Sequence, residues 1–469
     1  MRYLHLQFLL LLILLSVSSQ AQWYKSKEIH SNASGYFGKS IDIAECHWGG
    51  YPSVQYMLVG APYEDNGAGA VYLYSRSQQN YDTQWSEWEL KQKIPHFTLQ
   101  VSDTLSYDFQ SFGTTVAITC GANHRAIAIS APETKIYYKT LTFEKDGLVI
   151  YDYNTTTKTF EPLSIRLENH TSYFTKDIDI SSVYYNGNQD GLLVASTFPS
   201  ENLVKFYRYD YNTQTWDDSN ITGDPDTKFG QSVAVSDFEL LWKPNRNYVI
   251  IGAPDTNITW QMITYRHRGS ATVFKYENTG SGEFQWVEQY RLSQPIPDIH
   301  AGESINQDTN FGIDTDITPF GDKLIVAARR EGVTQDTSTQ NRGEAYIYSI
   351  NETSGEKLTI PSFKGDSAEV YSAAISQTGD HAILGTPNLT IEVCSSDGGA
   401  FIYEFNKKWQ LSGIFSHSGD NHIGSAVKIS GEIMHRAAEA YVGMDSASTV
   451  GILKKSYGFI PVITNYLLQ

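Results

Sequence analysis

Cysteine is scarce in this sequence, since the 469 residues include only Cys46, Cys120 and Cys394. So few cysteines exclude a disulfide-dense scaffold, and no Cys-x-x-Cys pair or cysteine–histidine spacing indicates a zinc site. Charged residues are also few, at 19%, and the formal net charge is −17. This acidic balance argues against nucleic acid or an anionic membrane as the partner.

Catalytic signatures are absent as well. The sequence contains no His-Glu-x-x-His, no Gly-x-Ser-x-Gly and no phosphate-binding Walker loop. His417, His422 and His435 lie close together along the chain, but no carboxylate pattern accompanies them, so we interpret them as surface residues. These absences favour a protein that is not an enzyme.

Long apolar runs are missing after the N-terminus. Residues 1–22 have the pattern of a secretory signal peptide: Arg2, an apolar core from Phe8 to Val17, and small residues before the expected cleavage. That core is too short for a bilayer, which needs about 20 apolar residues. The C-terminal tail, 457–469, is apolar but interrupted by Pro461. The sequence therefore predicts a secreted protein without membrane insertion.

What the sequence does contain is a repeat. Phe229 to Tyr276 holds three short β-branched segments, bounded by glycine or proline, as in a meander of strands. One sheet of three or four strands cannot bury itself, so copies must stack against it. The opening octet of this unit recurs with starts at Phe37, Phe112, Phe174, Phe229, Phe311, Glu369 and Ile423.

Phe-Gly followed by Gly-Ala-Pro resembles the FG-GAP repeat of the integrin α-subunit head. A close match is Phe37-Gly38 with Gly60-Ala61-Pro62, and a looser one is Phe229-Gly230 with Gly252-Ala253-Pro254. The resemblance implies an all-β fold, a seven-bladed β-propeller of four-stranded antiparallel blades. This propeller is expected to span residues 23–456 as one domain.

An extra strand is predicted to close the ring. Trp23 to Ile29 has the aromatic-led pattern of the outer strands but precedes the first Phe-Gly. Paired with Ser448 to Lys454, it would complete the last blade from the N-terminus and remove an exposed edge. The alternative is that Phe459 to Thr464 supplies that strand from the C-terminus.

Calcium is the one metal that the resemblance suggests, because FG-GAP turns often hold it on an acidic loop. The nearest match here is Asn186-Gly187-Asn188-Gln189-Asp190-Gly191, but Val194 replaces the further acidic ligand. Calcium prefers several hard oxygen ligands. Asn186, Asn188 and Asp190 are therefore a weak candidate site, no cofactor is expected to be required, and an ordinary Asn/Gly turn is the alternative.

Secretion is consistent with two further features. Cys46 and Cys120 leave the innermost strands of adjacent units at the same end, so they either form a disulfide or remain thiols, with Cys394 left over. Asn-x-Ser/Thr sequons are expected to carry glycans between strands. They lie at Asn32, Asn154, Asn169, Asn220, Asn257, Asn351 and Asn388.

Function is predicted from the long connections, which all lie at one end of the ring. At that end the second strand of a unit connects to its third strand, and the fourth strand connects to the next unit. We call this end the long-loop face. Recognition usually resides in variable loops on a rigid scaffold. Its long connections are Pro95 to Ser111, Pro132 to Asp146, Pro254 to Arg268, Gln294 to Asn310 and Arg329 to Arg342.

We therefore expect a binding module for an extracellular protein or glycan, with Arg329 and Arg330 on the binding face. Asp314 and Asp316 are expected near the centre of the ring, where polar groups are usual and a catalytic pair is not favoured. Two alternatives are an accessory subunit of a hydrolase, as FG-GAP propellers accompany the catalytic domain of glycosylphosphatidylinositol-specific phospholipase D, and a glycan-binding lectin.

Overall fold

The computed structural model describes most of the chain between Gln22 and Ser456. The described residues are 22–31, 35–46, 54–78, 85–121, 124–168, 175–185, 188–236, 248–278, 284–295, 304–305, 308–330, 333–334, 342–361, 368–389, 396–416, 419–430 and 438–456. Residues 1–21 and 457–469 lie outside them.

Strands dominate the first part of the chain, apart from a short helical turn at Glu64–Gly67. Numbered along the chain, they are β1 (Gln22–His30), β2 (Ser40–Cys46), β3 (Val54–Ala61), β4 (Ala70–Ser77), β5 (Glu89–Pro95), β6 (Thr98–Ser102), β7 (Leu105–Asp108), β8 (Val116–Cys120), β9 (Arg125–Tyr138), β10 (Leu141–Asn154) and β11 (Thr159–Glu168).

The middle of the chain continues in the same way. Its strands are β12 (Ile178–Tyr185), β13 (Asn188–Phe198), β14 (Leu203–Asp210), β15 (Thr215–Thr222), β16 (Ser232–Val235), β17 (Tyr248–Ala253), β18 (Ile258–Trp260), β19 (Ile263–Tyr265), β20 (Ser270–Asn278), β21 (Phe284–Ser293), β22 (Ser304–Ile305), β23 (Phe311–Ile317), β24 (Lys323–Ala328), β25 (Val333–Thr334), β26 (Glu344–Ser349) and β27 (Glu356–Thr359).

The last part adds seven strands and one 3₁₀ turn at Asp445–Ala447. These strands are β28 (Ser372–Ile375), β29 (His381–Thr386), β30 (Ser396–Asn406), β31 (Lys408–Ser416), β32 (Gly419–Ile429), β33 (Glu439–Met444) and β34 (Thr449–Ser456).

The fold is all-β, and its sheets are arranged as a propeller. Within the described residues, five sheets stand as separate blades: β2–β5, β8–β11, β12–β15, β16-β17-β20-β21 and β23-β24-β26-β27. The second also carries β6 and β7. β28 to β34 with β1 form a single eight-stranded sheet, and β18–β19 and β22–β25 are two-stranded sheets. The expectation of seven separate blades is therefore wrong, because a short parallel pairing of β30 with β32 joins the last strands into one sheet.

The innermost strands enclose a central axis. Each packs beside the next in the order β2, β8, β12, β16, β23, β28, β32, and β32 returns to β2. The second strands behind them are buried on both sides, as the unbroken apolar runs predicted. In β17, every residue from Tyr248 to Ala253 is buried.

The ring closes through the N-terminal strand, as predicted. β1 pairs antiparallel with β34, with Gln22 opposite Ser456 and His30 opposite Thr449. The indole Nε1 of Trp23 donates to Ser412 Oγ at 3.0 Å, and Ile29 is buried. The outer edge of β34 is therefore covered, which limits pairing with other chains.

The Phe-Gly and Gly-Ala-Pro motifs are the two sides of one contact between neighbouring blades. A Cβ added to Gly60 would lie 2.1 Å from the carbonyl oxygen of Gly113 in the next blade. Ser40 Oγ donates to that same oxygen at 3.0 Å. Gly252 and Gly312 repeat the arrangement, again at 2.1 Å. The motif glycines thus let the second strand of one blade approach the entry of the next blade's inner strand more closely than any side chain would permit.

The glycine of each Phe-Gly pair has a second requirement. Its φ angle is positive, a conformation that residues with a side chain rarely adopt. The preceding phenylalanines at 37, 112 and 311 are fully buried. The φ angles lie between 87° and 95° at Gly38, Gly113, Gly230 and Gly312, and at Gly424, which follows Ile423.

Candidate functional site

The axis of the ring is hollow. A cavity of about 630 Å³ opens toward the long-loop face, and one of about 210 Å³ opens at the other end. Asp42, Asp179, Asp316 and Lys428 line both cavities. We call these four residues the axial charge layer. They mark the level at which the two cavities meet.

Asp177 lies immediately before β12 and Asp179 lies within it, and both connect this strand to the next blade. Asp177 Oδ2 accepts from the backbone N–H of Val233 at 2.9 Å, and Asp179 Oδ2 accepts from that of Val235 at 2.7 Å. Their other oxygens accept from N–H groups of their own strand. Each carboxylate therefore joins two inner strands that share no sheet.

The same connection recurs two blades further around the ring. Asp314 Oδ2 accepts from the N–H of Ala373 at 2.7 Å, and Asp316 Oδ2 from that of Ile375 at 2.9 Å. Asp314 and Asp316 were expected near the centre of the ring, and the structure places them there. Because their oxygens are already engaged by backbone donors, the contacts are those of a support between blades.

Where the two cavities meet, Lys428 lies among several carboxyl groups. Lys428 Nζ lies 3.2 Å from Asp42 Oδ1. Burial disfavours the lysine charge, but the attraction of Asp42, Asp316 and Asp179 outweighs it and raises the Lys428 pKa well above its usual range. Burial, together with repulsion from Asp177, raises the pKa of Asp314 to about 8. Burial also raises the pKa of Asp177 to about 6.

Arg329 and Arg330 lie on the long-loop face, but an internal carboxylate engages them. Arg329 Nη2 and Arg330 Nε each lie 2.7 Å from an oxygen of Glu369, whose side chain is 8% exposed. Tyr371 donates its hydroxyl to the same group at 3.0 Å. Burial opposes the charge of Glu369, yet both arginines outweigh it and lower the Glu369 pKa. Through Glu369 the two arginines therefore connect two neighbouring blades.

Two of the three residues of the weak calcium candidate lie within the described residues. Asn188 and Asp190 belong to β13, where Asn188 stands opposite Tyr185. Asn186 lies outside the described residues. Among the residues that the structure describes, no group of three or more histidine, cysteine, aspartate or glutamate side chains is arranged to hold a metal ion.

The cysteines and histidines are placed as follows. Cys46 and Cys120 are joined by a disulfide, with their Cα atoms 5.2 Å apart, and so connect the ends of β2 and β8. Cys394, His417 and His435 lie outside the described residues. His422 is exposed at the long-loop end, with its Nδ1 3.0 Å from Ser446 Oγ.

Five of the sequons lie within the described residues. Asn257 and Asn388 are in connections of the long-loop face, and Asn351 follows β26 at the opposite end. The expectation that all sequons fall between strands is wrong for Asn220, which lies inside β15, and for Asn154, the last residue of β10. Both are at outer or terminal strand positions, and Asn220 is exposed. Asn32 and Asn169 lie outside the described residues.

The long connections contain paired β-strands. The connection from Pro95 carries the hairpin β6–β7, and the one from Pro254 carries β18–β19. β9 and β10 extend beyond their blade and pair with each other as far as Tyr138 and Leu141. β22 and β25 pair across two further connections. Sequence reasoning missed these strands because it treated every segment outside the repeat as loop.

Exposed apolar side chains are concentrated on this face. Of the fifteen large apolar residues that are exposed in the described part of the chain, ten lie in connections of the long-loop face, eight of them in its long connections. Met262, at the tip of β18–β19, is 98% exposed. The others are Tyr36, Tyr63, Val101, Tyr137, Tyr138, Leu141, Phe143, Trp260 and Ile263.

Comparison with known proteins does not assign the chain to a family. A scan against protein-family models finds no match, and a search of curated proteins finds none either. Within the described residues, no helix has both the length and the apolar character that crossing a membrane would require.

Proposed function

We propose that this protein is a secreted, glycosylated, non-catalytic binding module that recognises an extracellular protein through the long-loop face of its propeller. The observation that carries this proposal is the concentration of exposed apolar side chains on that face. Exposed contiguous apolar surface on a soluble protein commonly marks an interaction site. Tyrosine, tryptophan, phenylalanine and methionine are also the residues enriched where proteins meet.

The electrostatic contacts support binding in preference to catalysis. The axial aspartates accept backbone N–H groups from neighbouring blades, and Arg329 and Arg330 are paired with Glu369. Groups engaged in this way stabilise the ring and leave the exposed hairpins as the adaptable part. A rigid scaffold that presents variable connections is the usual arrangement for recognition.

We also propose that the ring consists of seven FG-GAP-like units, with the eight-stranded sheet counted as two. β28 to β31 would form the sixth unit, and β32 to β34 with β1 the seventh. Support comes from the two inner strands in that sheet and from the limited pairing between its halves. β30 and β32 share only the pairs Ser396 with Gly419 and Gly398 with Ile423.

The experiment is site-specific photo-crosslinking. A photoreactive residue replaces Met262 or Leu141 on the long-loop face. Phe405, near the end of β30, or Lys158, in the turn before β11, serves as the matched control on the opposite face. Each protein is incubated with extracellular extract of the source organism, and the crosslinked proteins are identified. We expect the same partner from Met262 and Leu141 and none from the controls. Crosslinks formed only from Phe405 and Lys158 would show that the opposite face binds.

A further inference from the structure

β6, β7 and the projecting ends of β9 and β10 form a small sheet on the long-loop face. We call this sheet the platform, and it comprises residues 98–108, 134–138 and 141–145. Directly opposed residues share a face of a sheet. Leu99, Tyr107, Ile136 and Phe143 stand in one such row across the four strands. A second row contains Leu105, Tyr138 and Leu141. On β7, β9 and β10 this face is therefore apolar. On β6 it continues with Leu99, while a register shift places Ser102 opposite Leu105, with Val101 between Gln100 and Ser102.

The inner part of this face packs on the protein core, and its outer part does not. Ile136 is buried, and Leu99 and Tyr107 pack against the core cluster of the first two blades. Val101, Leu141 and Phe143, by contrast, are 52%, 55% and 49% exposed. The platform thus presents an apolar surface that is anchored at one side and open at the other.

The platform also ends in an open strand edge. β6 pairs with β7 on one side, and no described strand pairs with its other side. Its sequence, Thr98-Leu99-Gln100-Val101-Ser102, alternates polar and apolar residues and contains neither a charge nor a proline. Natural sheets usually protect an exposed edge with lysine, proline or a covering segment. In the described residues β6 has none of these three protections, and its pairing with β7 has one register shift, between Gln100 and Ser102.

Charges beside this edge indicate the chemistry of an added strand. On the polar face, Thr98, Asp108, Lys135 and Glu144 stand in one row, so the charges alternate away from the edge. A strand added outside β6 would place one side chain beside Thr98, and the Asp108 carboxylate would lie on the second strand from it. Asp103, in the β6–β7 turn, is a second acidic group at the edge. A basic side chain would continue the alternation, whereas an acidic one would meet repulsion.

We propose that β6 accepts an extended strand from a protein partner, apolar at alternate positions and basic between them. The backbone of the edge would supply hydrogen bonds, Leu99 and Val101 would contact the apolar side chains, and Asp103 and Asp108 would attract the basic ones. This inference rests on the proposed function, since the platform belongs to the long-loop face. A second copy of the chain is disfavoured as the occupant because both copies carry the formal charge of −17 and the same acidic edge.

The probe is a capped nine-residue peptide that alternates lysine with valine, added to the full chain. Hydrogen exchange should slow selectively in residues 98–102, and titration should saturate. Val101→Lys places a charge on the apolar side of the edge and should weaken peptide binding about tenfold or more. Asp103→Lys should weaken it by a smaller factor. Asp217→Lys, an exposed charge change on β15, should leave it unaltered.

Two control peptides test the mechanism. Methylating alternate backbone nitrogens removes the strand hydrogen bonds and should abolish binding, and glutamate in place of lysine should weaken binding strongly. Equal binding by the wild-type and the Val101→Lys protein would overturn the proposal. So would a dimer, found by ultracentrifugation without peptide, that Val101→Lys dissociates, because the edge would then serve a second copy. Either result would leave the crosslinks at Met262 unchanged, so it would not count against the proposed function.

Discussion

Gly252→Ala tests the contact between motif glycines on which the ring depends. The added methyl group would lie 2.1 Å from the carbonyl oxygen of Gly312 and 2.4 Å from Ser232 Oγ. An ordinary contact needs well over 3 Å, so the neighbouring blades would have to separate by about 1 Å. Overpacking of this kind costs about 1–3 kcal/mol. Displacing the Ser232–Gly312 hydrogen bond costs about 1 kcal/mol more.

The assay is denaturant unfolding with the free energy of unfolding compared between variants. We expect Gly252→Ala to lose about 2–4 kcal/mol, the sum of those two contributions. Ala327→Gly is the matched control, because Ala327 occupies the corresponding position of β24 and is already accommodated, fully buried. It should cost only about 1–2 kcal/mol through lost packing and added backbone freedom. A Gly252→Ala protein as stable as wild type would refute the close-contact explanation of the motif.

Three further predictions concern stability. The folded pKa values of Asp177 and Asp314, about 6 and about 8, exceed the ordinary value of 3.8, so the folded state binds these protons more tightly. The melting temperature should therefore rise as the pH falls from about 8.5 to about 5.5, and Asp314→Asn should flatten that rise. Deleting residues 22–30 should uncover the edge of β34 and cause aggregation during expression; a normal yield and an unchanged melting curve would contradict the closure by β1. A calcium chelator should shift the melting temperature little, and a fall of many degrees that calcium reverses would restore the calcium site.

The repeat was predictable because its constraints are local. A buried strand needs an apolar run, as at Val249 and Ile250, and the turn that enters most inner strands has a glycine with positive φ, as at Gly230. The same pattern therefore reappears in most copies of the unit. The closing strand was also predictable, since Trp23 to Ile29 lacks any other partner unit. The apolar runs and the turn glycines depend on residues that are near one another in the chain, whereas the closing strand pairs with β34 at the other end of the chain.

Contacts between units were not predictable in the same way. Asp314 and Ala373 are 59 positions apart, and no local pattern distinguishes an aspartate that accepts a neighbour's N–H group from one in solvent. Glu369 as the partner of Arg329 and Arg330 was missed for the same reason. The joining of β30 with β32 depends on a short parallel pairing that follows from how adjacent blades are positioned. The hairpins of the long connections were missed because short exposed strands carry little apolar signal.

The most direct test of the proposed binding face is the affinity of the crosslinked partner for matched variants, measured by surface plasmon resonance. Leu141→Ser combined with Met262→Ser removes exposed apolar side chains from two long-loop hairpins, and Phe405→Ser does the same at the opposite end. Central interface residues commonly contribute 2 kcal/mol or more each, so the double variant should raise the dissociation constant by at least about 30-fold. Phe405→Ser should leave it unchanged. Unchanged affinity in the double variant, with a loss in Phe405→Ser, would contradict the assignment of binding to the long-loop face.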